Sequence, residues 1–251
     1  MATLGQRSDF LRQTLQSIRD QGVPVDVVMV APLTAEGITE TAGEFGAQLL
    51  ADPGSLPTAI NLGMSAKSPW HEYVNWLNDD DLLEPGSLRA TIKALDTNRV
   101  ATVAYGACRY INEQAQELWI SKAGPWATRI LAWGPDLIPQ PGMLIRSSAW
   151  DQVGGLDNSF DLAFDLDLLL KLKKLGPLVD TGVTVSSFRW HADSLTVDDR
   201  GKNISESERA KRAALSPAMR KFAWLWEPPV RIATKLAAGE VQRRARSISS
   251  R

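Results

Sequence analysis

The sequence predicts an α/β fold, a doubly wound and mostly parallel central sheet with a small antiparallel portion, followed by a C-terminal helical tail. Three observations carry that expectation. Val25-Asp26-Val27-Val28-Met29-Val30-Ala31 is a nearly continuous β-branched run, the pattern of a parallel strand covered on both faces. Strand-like runs alternate with stretches of helical periodicity. A later apolar run, Tyr73-Val74-Asn75-Trp76-Leu77, stops abruptly at Asn78-Asp79-Asp80-Asp81 and is followed by Leu82-Leu83-Glu84-Pro85-Gly86. Ligands of open α/β sheets bind beyond the carboxyl ends of strands, where these aspartates would lie.

Taken in order, Thr3 to Arg7 is a loop, and Leu11, Leu15 and Ile18 repeat at helical spacing. Only Met1 and Ala2 precede Thr3, so the expected first strand is very short or the chain as given starts late. After the strand at 25–31 come a helix at 39–45, a strand at 48–50, a helix at 58–66 carrying Asn61, and the strand leading to the aspartates. A helix at 87–95 and a long strand at 100–111 follow, with 117–121 as a hairpin partner. Residues 124–139 mix Trp, Gly and Pro without periodicity and read as a loop with at most one helical turn. A strand enters from Pro141-Gly142, and a short helix at 148–153 stops at Gly154-Gly155. Residues 161–175 form the clearest helix. Its stripe is Leu168, Leu169, Leu172 and Leu175, with Asp165 on the same side. Asp167 faces elsewhere and suits a surface pair with Lys171. A strand at 183–190 ends on His191.

Hydrophobic content of 44% is enough for a substantial core, and a net charge of −1 argues against nucleic acid as a partner. The single cysteine, Cys108, excludes an internal disulfide, suits a reducing cytoplasm and reads as core filler. No window is apolar enough to span a bilayer, and the amino terminus lacks a signal-peptide layout. Trp70, Trp126, Trp133 and Trp190 lie in polar or Pro-Gly surroundings, where a ring can stack on a ligand or simply pack. Residues 1–200 are expected to form the binding domain and 201–251 an extension. From Ala218 onward the chain holds eight Lys or Arg against two Glu, with Phe222, Trp224 and Trp226 close together. That composition suits either a peripheral contact with the inner face of an anionic membrane or a helix packed back on the domain.

Three adjacent carboxylates repel one another unless a positive group sits between them, so Asp79 to Asp81 is either a Mg²⁺ or Mn²⁺ site holding a phosphate or a solvated turn. Asp165 on an inward helix face and His191 at a strand end favour the first. At this point the sequence resembles the inverting family-2 glycosyltransferases, which have the Rossmann-like glycosyltransferase-A fold. Leu77 to Leu88 looks like the family's Asp-X-Asp block. Ile138 to Gly142 through Gly154-Gly155-Leu156-Asp157 resembles its acceptor segment. Phe164 to Leu172 is similar to the catalytic-base helix, and Phe188 to Thr196 to the closing His segment.

The resemblance implies a divalent cation, a nucleotide-diphosphate sugar donor and a glycan or lipid-linked acceptor. It implies that Asp79 and Asp81 flank the diphosphate, with Asp81 on the metal and Asp79 or Asp80 toward ribose or metal. His191 would add a metal or diphosphate contact, Thr3, Arg7 and Asn61 would approach the nucleotide, and Asp165 would be the general base. Arg146 and Arg189 are further cations near the mouth, open to a phosphate-bearing acceptor or to ordinary ion pairing. One departure stands out: Val30-Ala31-Pro32-Leu33-Thr34 lacks the carboxylate that often holds the base. Two other classes stay open. A nucleotidyltransferase would need a Gly-rich phosphate loop with a lysine, and Gly5-Gln6-Arg7 is too short for one. A sugar-nucleotide-binding or scaffolding relative would lack catalysis.

Overall fold

The computed structural model describes residues 1–122, 124–190, 200–222, 224–225 and 227–232. The first half winds through α1 (Ser8–Arg19), β1 (Val28–Ala31), α2 (Ile38–Phe45), β2 (Gln48–Ala51) and α3 (Leu56–Ser65). It continues through β3 (Tyr73–Val74), β4 (Leu82–Leu83), α4 (Ser87–Thr97), β5 (Val103–Ile111) and β6 (Glu117–Ser121). The second half holds α5 (Trp126–Ile130), β7 (Leu144–Arg146), α6 (Ser147–Val153), α7 (Phe164–Leu175) and β8 (Leu178–Arg189). Two more helices, α8 (Arg200–Ala214) and α9 (Pro217–Lys221), follow.

The expected β-branched run makes β1, buried along most of its length and paired in parallel with β2. Met1 to Thr3 occupies the place of a first strand on the other edge of β1. Ala2 bridges Val30 in parallel, Thr3 N donates to Val30 O at 3.0 Å, and Val30 N donates to Met1 O at 2.8 Å. This short attachment aims the Thr3–Arg7 loop along the end of the strand.

The larger sheet has the order β3-β7-β5-β8-β4, with β6 also on β5. Here the expectation of a mostly parallel sheet needs correction. Only β5 and β8 run parallel, whereas β3–β7, β5–β7, β5–β6 and β4–β8 are antiparallel. The reason is local: the acid turn returns the chain directly into β4, which folds back on β8 instead of crossing over, and β7 inserts between β3 and β5 against both. Gly106 sits where the β5–β8 register shifts; a Cβ there would lie 2.4 Å from Val183 O, so only glycine lets the strands close.

The core packs Trp76, Tyr105, Met143, Ile145 and Trp150 against α7. Leu166, Leu168, Leu169, Leu170 and Leu172 are all buried, so α7 is covered on several faces by α6 and α8 rather than lying with one side in water. The Asp167–Lys171 pair forms at 2.6 Å, but Asp167 is only 5% exposed. Of the expected surface pair, the Asp167 end is therefore buried, while Lys171 stays partly exposed and also lies 3.8 Å from Asp157. Cys108 is core filler as expected; burial pushes its thiol up to about 12.

Candidate active site

A cleft of about 1580 Å³ runs past the acid turn, the Thr3–Arg7 loop, residues 133–141, the start of α7 and the inner face of α8. Single-ligand pockets are usually about 300–1,000 Å³, so this one has room for two substrates.

The acid turn divides its three carboxylates between cleft and core. Asp79 and Asp80 line the cleft. Thr3 Oγ1 donates to Asp79 Oδ2 at 2.5 Å and accepts from Gly5 N at 3.0 Å, so the first loop is tied to the turn. Desolvation and the Asp80 charge raise the Asp79 carboxyl above its ordinary range, and the Thr3 and Arg7 contacts oppose that. Arg7 Nη1 stands 3.6 Å from Asp80 Oδ2. Asp81 is turned inward and is completely buried. Its Oδ1 accepts from Arg189 N at 3.2 Å and its Oδ2 from Asn78 Nδ2 at 3.1 Å, while burial raises its carboxyl well above the usual range. The pair facing the cleft is therefore Asp79 with Asp80, rather than the expected Asp79 with Asp81.

Arg189 is the fastener under this turn. Its fully buried guanidinium donates to Asp80 O at 3.0 Å, Glu113 O at 2.9 Å and Gln13 Oε1 at 2.8 Å, and lies 4.2 Å over the Phe10 ring. Arg146 is likewise committed, to Ala101 O and Leu95 O. Neither lines the cleft, so neither is placed to meet an acceptor phosphate. Asn61 is spent elsewhere too: it donates to Leu156 O at 2.9 Å and Asn158 Oδ1 at 3.0 Å, and accepts from Leu156 N at 2.9 Å. Gly155 permits this, since a Cβ there would lie 2.7 Å from Asn61 Oδ1. Asn61 is not among the residues lining the cleft.

Asp165, in the first turn of α7, does face the cleft. Desolvation by the surrounding walls raises its carboxyl to about 6, against the pull of the Leu166 N–H, which donates to Oδ1 at 2.8 Å. A second carboxylate missed from sequence, Asp136, opens on the same cleft. It is raised to about 7 by desolvation and the Asp165 charge, opposed by Ile138 N at 3.0 Å and by Lys211. Gly134-Pro135-Asp136 reads as a turn, and nothing local in the sequence links it to α7. Lys211 reaches across from α8 to Gly134 O at 2.6 Å. Aromatic rings complete the walls. Tyr110, Phe188, Trp190, Trp133 and Trp76 line the cleft, and Trp119 stacks behind Tyr110 with ring centroids 4.2 Å apart.

His191 lies outside the described residues, as do 233–251 of the basic tail. Among the described residues no group of three or more His, Cys, Asp and Glu side chains is arranged to hold a metal ion. The two carboxylates facing the cleft nevertheless suit a Mg²⁺ or Mn²⁺ ion, which takes one or two carboxylates and completes its shell with water and substrate phosphate.

The cleft and its mixed sheet place the chain among α/β folds that open a substrate groove at the strand ends. The crystal structure of S. aureus TarS 1-349, a family-2 glycosyltransferase, superposes with a TM-score of 0.63 at 12% identity, covering 88% of this chain and 67% of that one. A second TarS structure gives a TM-score of 0.64 at 11% identity, covering 89% of this chain and 41% of that one, so the chain spans well under half of the longer protein. At these identities the likeness establishes the fold. No family model matches the chain, and no curated protein sequence matches it.

Proposed function

We propose that the protein is a metal-dependent inverting glycosyltransferase that moves a sugar from a nucleotide-diphosphate sugar to an acceptor hydroxyl in surface or secreted glycan assembly. One observation carries the reading: a single cleft holds a raised carboxylate, Asp165, together with the pinned pair Asp79 and Asp80, on the fold of the TarS structures. Thr3 and Arg7 would position the diphosphate beside that pair. A divalent cation held by Asp79 and Asp80 would supply Lewis-acid stabilisation of the departing diphosphate.

Asp165 in its ionised form would take the acceptor hydroxyl proton while that oxygen attacks the anomeric carbon. The bond from the anomeric carbon to the diphosphate oxygen breaks, and its electron pair leaves with the nucleoside diphosphate. Displacement in one step inverts the anomeric centre. Positioned proton transfer contributes roughly 10²–10⁴-fold. The aromatic lining supports a glycan acceptor, since apolar sugar faces pack on rings. Exposed Phe222, Trp224 and Leu225 beside Arg220 and Lys221 support a peripheral membrane contact that would serve a lipid-linked acceptor on the cytoplasmic face. No helix among the described residues is long and apolar enough to cross a membrane.

The test is donor hydrolysis and transfer across UDP-, GDP- and dTDP-sugars with Mn²⁺ present. Asp165→Asn should lose about 10²–10⁴-fold in kcat while still binding nucleotide. An Asp165→Asn variant as active as wild type sinks the base assignment. Nucleotide binding without any turnover would favour a sugar-nucleotide-binding protein instead.

A further inference from the structure

The residues that lead into α7 are held by a side chain from a different helix. Glu206, on α8, is 8% exposed and accepts hydrogen bonds from three successive backbone N–H groups. Asp161 N donates to both carboxylate oxygens, at 3.2 and 3.1 Å, Leu162 N donates at 2.9 Å and Ala163 N at 3.1 Å. Desolvation by itself would raise this carboxyl; the backbone donors outweigh it and hold the group below its ordinary value. The N-cap of α7 is Ala163, which has no side chain able to accept a hydrogen bond. The helix start thus takes its anion from α8, where oriented backbone N–H groups and the helix dipole favour negative charge.

Three further contacts tighten the same grip. Arg209 Nη2 donates to Ser159 O at 2.7 Å, its guanidinium lies 3.8 Å over the Phe160 ring, and Lys202 pairs with Asp161. Packing α8 on α7 alone would need only apolar side chains. A carboxylate that is nearly buried and spent entirely on backbone donors fixes the path of 161–163 instead. Asp165 follows two residues later.

We propose that Glu206 is a positioning residue, which sets the entry of α7 and with it the place of the Asp165 carboxylate opposite the Asp79–Asp80 turn. This rests on the reading of Asp165 as the general base. Misplacing a catalytic group by about 1 Å can cost roughly 10²-fold, so the effect should appear in turnover rather than in donor binding.

The experiment compares Glu206→Ala and Glu206→Gln with wild type in the full chain, by amide hydrogen exchange, nucleotide binding and steady-state kinetics. In Glu206→Ala, amides 161–163 should exchange about tenfold faster, the equivalent of roughly one net hydrogen bond. Its kcat should fall by about tenfold to 10²-fold with nucleotide Kd within about twofold of wild type. Glu206→Gln keeps an acceptor oxygen and should fall between the two, and it serves as the measurement if the alanine variant does not fold. Unchanged exchange at 161–163, unchanged kcat, or a kcat loss matched by an equal loss of nucleotide affinity would each overturn the proposal. Asp165→Asn run in parallel separates the two readings. If that variant keeps full activity the base assignment fails, whereas faster exchange at 161–163 with an inert Asp165→Asn and unchanged Glu206→Ala turnover defeats the positioning role alone.

Discussion

The two walls of the cleft are built differently. On the acid-turn side, polar groups near one another in sequence are locked by one buried cation: Asn78 and the Arg189 backbone hold Asp81, and the Arg189 side chain holds the carbonyl of Asp80. On the α7 side, Asp136, Asp165 and the α8 pair Glu206 and Lys211 come from three separate segments that meet only in the folded chain. The first wall should therefore fail as a unit when its fastener is lost. The second should fail piece by piece, with function changing before stability.

The sharpest test of that contrast is Arg189→Met. It keeps much of the apolar stem but removes every guanidinium hydrogen bond and leaves the Asp80–Asp81 turn without its buried counter-charge. Removing one partner from a buried charged network typically costs about 3–5 kcal/mol. Denaturant unfolding should show a loss of that order, together with loss of nucleotide binding. A variant as stable as wild type would break the comparison.

Within the acid turn, Asp79→Ala and Asp81→Ala should part company. Asp79 faces the cleft, so its loss should remove the Mn²⁺-dependent part of nucleotide affinity and leave thermal stability little changed. Asp81 is buried on two donors, so its loss should cost about 1–3 kcal/mol, the penalty of stranding them. Nucleotide binding that ignores both Mn²⁺ and Asp79→Ala would sink the metal proposal.

This difference also explains what the sequence made legible. The order and type of most elements could be read, because β1, α4, α7 and the β5–β6 hairpin each carry a strong local pattern. Strand direction could not, because pairing depends on where β7 and β4 insert, and no periodicity encodes that. The acid turn and Asp165 were legible as a carboxylate run and as a carboxylate heading an apolar stripe. Which aspartates face the cleft depends on Arg189, more than 100 positions away. Asp136 and Glu206 carried no local signal. The boundary expected at residue 200 also passes through the cleft wall, since α8 packs on α7 and lines the cleft.

Asn61→Ala gives a smaller effect that separates scaffold from ligand contact. The Asn61 amide makes three hydrogen bonds to the Leu156–Asn158 loop. Leaving Leu156 N and O without partners should cost about 1–3 kcal/mol, with nucleotide Kd unchanged. A large loss of nucleotide affinity at unaltered stability would return Asn61 to the binding site.

The gentlest probe is pH. In the proposed role of general base Asp165 must be ionised to accept a proton, so kcat should rise as pH climbs through about 6. Asp136 shares the cleft and is raised in part by the Asp165 charge; it keeps its proton to about 7 and is still neutral as Asp165 ionises, so Asp136→Asn should leave the acid limb near 6. Stability runs the other way. Both carboxyls are raised in the folded protein above the ordinary 3.8, so the native state holds these protons more tightly than the unfolded chain. Their favourable contribution is complete below about pH 4 and disappears as pH rises through about 6 to 7. Wild type should therefore lose thermal stability across that window. The Asp136→Asn, Asp165→Asn double variant, which cannot ionise at either position, should lose less. If the double variant follows the wild-type curve, the two carboxylates do not share the desolvated cleft that the α7 wall requires, and the contrast between the two walls loses its electrostatic half.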